Sequence, residues 1–268
     1  MTQGRVLIIA GSDSGGGAGI QADIKAVTAL GGYAATAITA LTAQNTEGVF
    51  GVHPVPVEFI RQQMELVLRD IGADALKTGM LHDVPTIETV AATIEAEAPG
   101  VTLVADPVMV AKGGHPLLQP DSVETLKRRL LPLATIVTPN LPEAEVLLGR
   151  PIPDAASMPA AAEALLGLGL RAVLLKGGHL PGDDVLDILA APAGLMRFED
   201  RRIGTRHTHG TGCTLASAIA AGLAQGMPLG AAVARARRYV RAAILAAPGF
   251  GKGHGPLGHG VTVDPSRV

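Results

Sequence analysis

Tryptophan is absent from this sequence, and other aromatic residues are scarce: two tyrosines and four phenylalanines in 268 residues. That shortage removes the stacking platforms that single-stranded nucleic acid uses. It leaves Ala, Leu, Val and Ile to fill the core, each branched aliphatic side chain contributing roughly 1.5–3 kcal/mol when fully buried. No Lys/Arg block exceeds a few residues and the net charge is -2, which argues against nucleic acid as a partner. Only one cysteine is present, Cys213, so no internal disulfide forms and a cytoplasmic location is expected. Long apolar runs are also missing. The uncharged stretch from His207 to Ala234 is broken at Gln225–Gly230, short of the ~18–20 residues a membrane span needs. Met1–Arg5 leads into a short apolar run ending at Gly11, which predicts no secretory leader.

What is present is regular alternation. With 47% apolar and 17% charged residues the chain is predicted to fold rather than remain disordered. β-Branched runs at 6–10, 35–40, 49–55, 75–77, 101–105, 135–137 and 172–175 read as strands. Helical spacing covers 18–29, 57–71, 84–96, 122–131, 158–168, 211–225 and 229–246, and 185–189 with 195–199 suggests a hairpin. The expected fold is α/β, a mostly parallel central sheet with helices on both faces, forming one domain over residues 1–268.

In such sheets ligands bind at the carboxyl ends of the strands. Asp13, Gln44, Lys77-Thr78-Gly79-Met80, Asp106-Pro107, Thr138-Pro139-Asn140 and Lys176-Gly177-Gly178-His179 all fall there. Gly15-Gly16-Gly17-Ala18-Gly19 fails the dinucleotide fingerprint because position 20 is Ile, and no Walker loop is present. Gly210-Thr211-Gly212-Cys213 precedes an apolar helical run, so free amides and the helix dipole there favour an anion. Two glycines let the backbone approach a phosphoryl group closely.

Cys213 admits two readings. It is a small buried hydrophobe, or a thiolate stabilised at a helix N-terminus that accepts a proton. Glu143, in a first helical turn, complements the helix dipole or joins Asp106 as a hard oxygen ligand for magnesium. Lys176 could neutralise phosphate charge, or be a solvated surface lysine. His207 and His209 form the one close histidine pair, without further ligands at zinc-like spacing.

These blocks stand in a recognisable order: Ala10–Gly19, Thr42–Thr46, Lys77–Leu81, Asp106–Met109, Thr138–Glu143, Lys176–His179 and His209–Cys213. From Arg5 to about Leu257 the chain resembles the hydroxymethylpyrimidine/phosphomethylpyrimidine kinases of thiamine biosynthesis, a branch of the ribokinase-like enzymes. The resemblance implies two successive phosphoryl transfers from ATP with Mg2+. The first goes to the hydroxymethyl oxygen of 4-amino-5-hydroxymethyl-2-methylpyrimidine and the second to the resulting monophosphate. It assigns Gln44 to the pyrimidine, with Asp23, Ala18, Gly11, Met80 and Val108 around it.

The same resemblance places Lys176, Thr211, Asn140 and Asp106 at ATP, and Glu143 and Asp106 at the metal. Gly210, Thr211, Gly212 and Cys213 fall at the transfer centre, with Cys213 as base where the wider group carries Asp. Ala111–His115 departs from the Lys-Ser-Gly-Asp expected in a flap. A homodimer is also implied. Pyridoxal kinase on the same scaffold and a non-catalytic pyrimidine-binding protein are the rivals.

Overall fold

The computed structural model describes residues 3–111, 114–119, 121–264 and 266. The chain runs β1 (Arg5–Ala10), α1 (Gly19–Ala29), β2 (Tyr33–Ile38), β3 (Ala40–Gln44), β4 (Val49–Pro54), α2 (Val57–Asp70), β5 (Ala75–Thr78), α3 (Val84–Glu97) and β6 (Thr102–Ala105). It continues through α4 (Ser122–Thr125), β7 (Ile136–Val137), α5 (Leu141–Leu148), α6 (Met158–Leu166) and β8 (Val173–Lys176). A hairpin of β9 (Asp184–Ala191) and β10 (Gly194–Arg201) precedes α7 (Thr211–Ala224) and α8 (Leu229–Leu245).

Eight strands form one sheet in the order β10-β9-β8-β7-β6-β5-β1-β2. Pairing is parallel from β2 to β8 and antiparallel at the hairpin edge. Alternation along β1 sorts the core. Leu7 and Ile9 pack with residues of α2, α3, α5 and α6, whereas Val6, Ile8 and Ala10 pack with α1, α7 and α8. Among the described residues no helix is long and apolar enough to cross a membrane.

The structure departs from the expected elements in three places. The run 35–40 is not one strand: β2 ends at Ile38, and β3 begins at Ala40 in a separate two-stranded ribbon with β4. Thr39 is the turning point, donating its amide to Ala10 O and its hydroxyl to Met80 O. Second, the helix expected over 122–131 is α-helical only through Thr125, then widens into a π turn at Leu126–Leu130. Pro132 accounts for this, because its ring clashes with the carbonyl four residues back and it offers no N–H. Third, α5 had been read only as a first helical turn around Glu143. It is closed by a capping box of Asn140 and Glu143 and by left-handed Gly149.

Candidate active site

Two loops at the carboxyl edge of the sheet meet to build the site. The first follows β1 and is wound around one carboxylate. Asp13 accepts the amides of Gly15 at 2.8 Å, Gly17 at 3.1 Å and Ala18 at 2.8 Å. His209 Nε2 lies 2.9 Å from the same side chain. Burial pushes this carboxyl up, but the hydrogen bonds from His209 and the amides outweigh it and hold Asp13 below its usual range. The glycine run is therefore a nest built on Asp13. Gly17 must lack a side chain because a Cβ would meet the His209 ring at 2.6 Å.

Gln44, at the end of β3, places its amide 3.1 Å from His209 Nε2 and 3.3 Å from the Thr42 hydroxyl. Gly11 lies against Met80, whose sulfur a Cβ would approach to 3.0 Å. Ala18 caps α1 beside Gly210. Val108 lies beyond β6, where its amide donates to Asp106 O.

The second loop is Gly210–Cys213 at the start of α7. Gly210 is left-handed at φ 81° and presses on Gly17 O, so the two loops share one seam. Gly212 faces a charged pair: a Cβ there would lie 3.3 Å from Lys176 Nζ and 3.7 Å from Asp106 Oδ2. Lys176 donates to Asp106 Oδ1 at 3.0 Å, as does the Thr138 hydroxyl. Asn140 and Lys176 stand side by side as a parallel bridge extending β7 and β8.

Glu143 accepts the Asn140 amide at 2.8 Å, and Asn140 Oδ1 accepts the Glu143 amide at 2.9 Å. Burial pushes the Glu143 carboxyl up to about 7, with Lys176 opposing and Asp106 adding to the rise. The dipole-complementing reading of Glu143 is thus realised as a capping box. Its proximity to Asp106 and Lys176 still makes it part of the charged cluster.

Beneath the second loop is a buried ion pair. Lys77, fully buried on β5, donates to Asp23 Oδ2 at 2.8 Å, and Ser217 on α7 donates to Asp23 Oδ1 at 2.7 Å. Asp23, expected around the substrate, is bound up in this pair. Its carboxylate has no exposure and both oxygens are occupied, so it supports the site from below. Ser217 is one helical turn beyond Cys213, which places the pair under the thiol.

Cys213 keeps partial solvent access. Even so, the protein packed around its sulfur pushes the thiol up to about 12, with Asp23 and Asp106 adding to the rise and Lys77 opposing it. Of the two readings left open for Cys213, burial and two carboxylates acting against the helix dipole and Lys77 favour the neutral thiol in the resting protein.

Of the expected residues, the fold joins Gly11 with Met80, Ala18 with Gly210, and Gly212 with Lys176, Asp106, Asn140 and Glu143. Within the expected flap, Lys112 and Gly113 lie outside the described residues. Sequence reasoning gave neither His209 nor Lys77 a role in the site, although Lys77 was counted among the strand-end residues. His209 was weighed only as half of a metal pair. A lysine directly after Ala75-Leu76 on a short strand in the middle of the sheet was the available signal for Lys77, since a buried ammonium demands a carboxylate.

A parallel sheet with the helix N-terminus, lysine and paired carboxylates at its carboxyl edge defines a ribokinase-like phosphotransferase fold. The family described as phosphomethylpyrimidine kinase matches residues 13–258, and the chain belongs to that family. It is 51% identical over 256 residues to a hydroxymethylpyrimidine/phosphomethylpyrimidine kinase of Rhizobium meliloti, covering 94% of this chain and 96% of that one. It is 54% identical over 265 residues to the thiamine biosynthesis bifunctional protein ThiED of Geobacter sulfurreducens. That match covers 99% of this chain but spans about half (54%) of the bifunctional protein. Among solved structures, an ADP complex of Bacillus subtilis pyridoxal kinase superposes with a TM-score of 0.89 at 37% identity, covering 97% of this chain and 98% of that one.

Proposed function

We propose that this protein transfers the γ-phosphoryl group of ATP to the hydroxymethyl oxygen of 4-amino-5-hydroxymethyl-2-methylpyrimidine, and then phosphorylates the monophosphate to the diphosphate. The observation that carries this reading is the bare Gly212 backbone beside Lys176 and Asp106 at the N-terminus of α7. Amides and an ammonium held there stabilise charge on the phosphoryl oxygens without reorganising. Lys176, Thr211 and Asn140 lie on the nucleotide side. Gln44, Gly11, Met80, Ala18 and Val108 lie on the acceptor side. Because Cys213 rests as a thiol, it serves the attacking hydroxyl first as a hydrogen-bonding neighbour. It acts as the base from its thiolate, once the thiol proton has left.

Asp106 and Glu143 supply oxygen donors of the kind a hard cation takes, and they fit Mg2+. Among the described residues no group of three His, Cys, Asp or Glu gathers to hold a metal by protein ligands alone. That suits an ion carried largely by phosphate and water. When bound, Mg2+ neutralises charge on the β- and γ-phosphate oxygens.

The same reading carries one kinase domain, a homodimer and a cytoplasmic location, where the lone Cys213 stays reduced. Mass spectrometry of products formed with MgATP and the aminopyrimidine alcohol tests the reaction, and both mono- and diphosphate are expected. The likeness to a pyridoxal kinase makes pyridoxal the second alcohol to assay. A higher kcat/KM on pyridoxal would transfer the assignment to that vitamin.

A further inference from the structure

The polar cluster at the acceptor loop contains a constraint that the proposed reaction does not by itself require. Three backbone amides converge on Asp13, so its carboxylate acts as acceptor only. His209 Nε2, 2.9 Å away, must then carry the hydrogen it donates to Asp13, whether the ring is neutral or charged. A ring nitrogen bearing hydrogen has no lone pair, so it cannot accept an N–H from Gln44 at 3.1 Å.

The Gln44 amide therefore turns its carbonyl oxygen toward His209, which shares one N–H between Asp13 and Gln44. Its NH2 then faces Thr42 Oγ1 at the other end. The Thr42 hydroxyl already donates to Ser12 O at 2.8 Å, which leaves it free to accept. Every donor and acceptor is matched in this orientation, whereas the reverse sets two donors against each other.

We infer that the Asp13–His209 couple fixes the end-for-end orientation of the Gln44 amide, and so selects acceptor rings that carry an amino group beside a ring nitrogen. This rests on the aminopyrimidine reading above. Half-buried Gln44 retains one carbonyl lone pair and one N–H for a ligand, in fixed order. An exocyclic amino group donates to the carbonyl while the adjacent ring nitrogen accepts the N–H. A ring without that pair leaves both groups unsatisfied, and a site built to hydrogen-bond its ligand discriminates strongly in that case. His209 is a positioning residue here, acting through Gln44. Gly17 is glycine because the His209 ring occupies the space of its Cβ.

The test compares 4-amino-5-hydroxymethyl-2-methylpyrimidine with its analogue lacking the 4-amino group, by calorimetric Kd and by kcat/KM with MgATP. Enzymes are the wild type, His209→Leu, His209→Gln, Gln44→Leu and the double variant His209→Leu/Gln44→Leu. The ratio of the two alcohols within one preparation is independent of the fraction folded. Wild type is expected to prefer the amino compound, and His209→Leu to reduce that preference by roughly 10-fold or more, mainly through KM. His209→Gln keeps an N–H donor and should retain more of the preference. His209→Leu should add nothing once Gln44 is Leu. Equal losses on both alcohols, or additive losses in the double variant, would overturn the inference. If the wild type turns over neither alcohol, the proposed function fails first and removes the inference with it.

Discussion

The two faces of the central sheet bury different chemistry. Among the described residues, the polar side chains shut in on α3 and α4 are hydroxyls, Thr86, Thr93, Ser122 and Thr125, and the buried carboxyl on that side, Glu143, sits at the very start of α5 beside the site. The face under α1, α7 and α8 encloses full charges: Lys77 with Asp23, and Arg237 with Asp187. Desolvating an ion pair costs enough that apolar packing of the same volume is often as stable. Stability alone therefore does not account for the charged face. What distinguishes it is α7, whose N-terminus presents Gly210–Cys213. The Lys77–Asp23–Ser217 chain ties β5, α1 and α7 together by hydrogen bonds, which have one satisfied registration where packed methyl groups tolerate several.

Lys77→Met breaks the comparison most forcefully. It strands Asp23 with Ser217 alone and should cost about 3–5 kcal/mol, read from denaturant midpoints. Adding Asp23→Leu should recover most of that stability while leaving kcat low, because the registration of α7 is not restored. A double variant as active as wild type would reduce the charged face to packing. Leu103→Ala, on the apolar face, should lose a similar ~2–5 kcal/mol with kcat of the folded enzyme unaltered.

Cys213 sharpens the contrast at the end of the same helix. Cys213→Ala should lower kcat by roughly 100-fold while pyrimidine Kd changes little. As the lone cysteine it is also the sole thiol for alkylation. The iodoacetamide rate should still be climbing at pH 10, as a thiol pushed up to about 12 requires. A plateau near neutral pH would mean that the helix dipole and Lys77 outweigh burial. Nearly unchanged turnover in Cys213→Ala would leave the chemistry to the amides.

The contrast also governs what sequence could reveal. Apolar alternation marked the strands and the amphipathic helices, because period and burial are local properties. The split at Thr39 was hidden, since a strand that changes sheets keeps its β-branched residues and is redirected by distant partners, Ala10 and Met80. The widened turn before Pro132 and the capping box over Asn140–Glu143 both have local signatures, Pro132 itself and the Asn-x-x-Glu spacing, the second of which a metal ligand at Glu143 would share. The gathering of Lys176, Asp106, Asn140 and Gly212 was legible because strand-end lysines, carboxylates and paired glycines carry their chemistry in their identity. Asp23, Cys213 and His209 were not. Their behaviour depends on partners 54, 136 or 196 positions away in sequence, or on burial, which motif spacing does not encode.

The smallest expected effect tests the charged face through a group that stays neutral. His259 is buried against α7, with Nε2 2.9 Å from the Thr214 hydroxyl, and Tyr239 donates to its carbonyl at 2.8 Å. Burial lowers its pKa to about 4, with Lys25 adding to the drop and a hydrogen bond to the Leu257 backbone opposing it. The unfolded chain takes up this proton near pH 6.5 while the folded one refuses it until about 4, so stability falls with pH across that interval. The contribution is about 1–3 kcal/mol. Glu143 works in the opposite direction: its pKa is raised from 4.5 to about 7, so the folded state binds its proton first and gains stability on acidification. The wild-type curve alone therefore mixes two signs, and the informative quantity is the difference from His259→Gln, which keeps a partner for Thr214 but cannot protonate. That difference should widen steadily from about pH 6.5 downward. Parallel stability curves for the two proteins would show that His259 is hydrated or relaxed in the folded state, and that the face under α7 accommodates a new charge more readily than its burial implies.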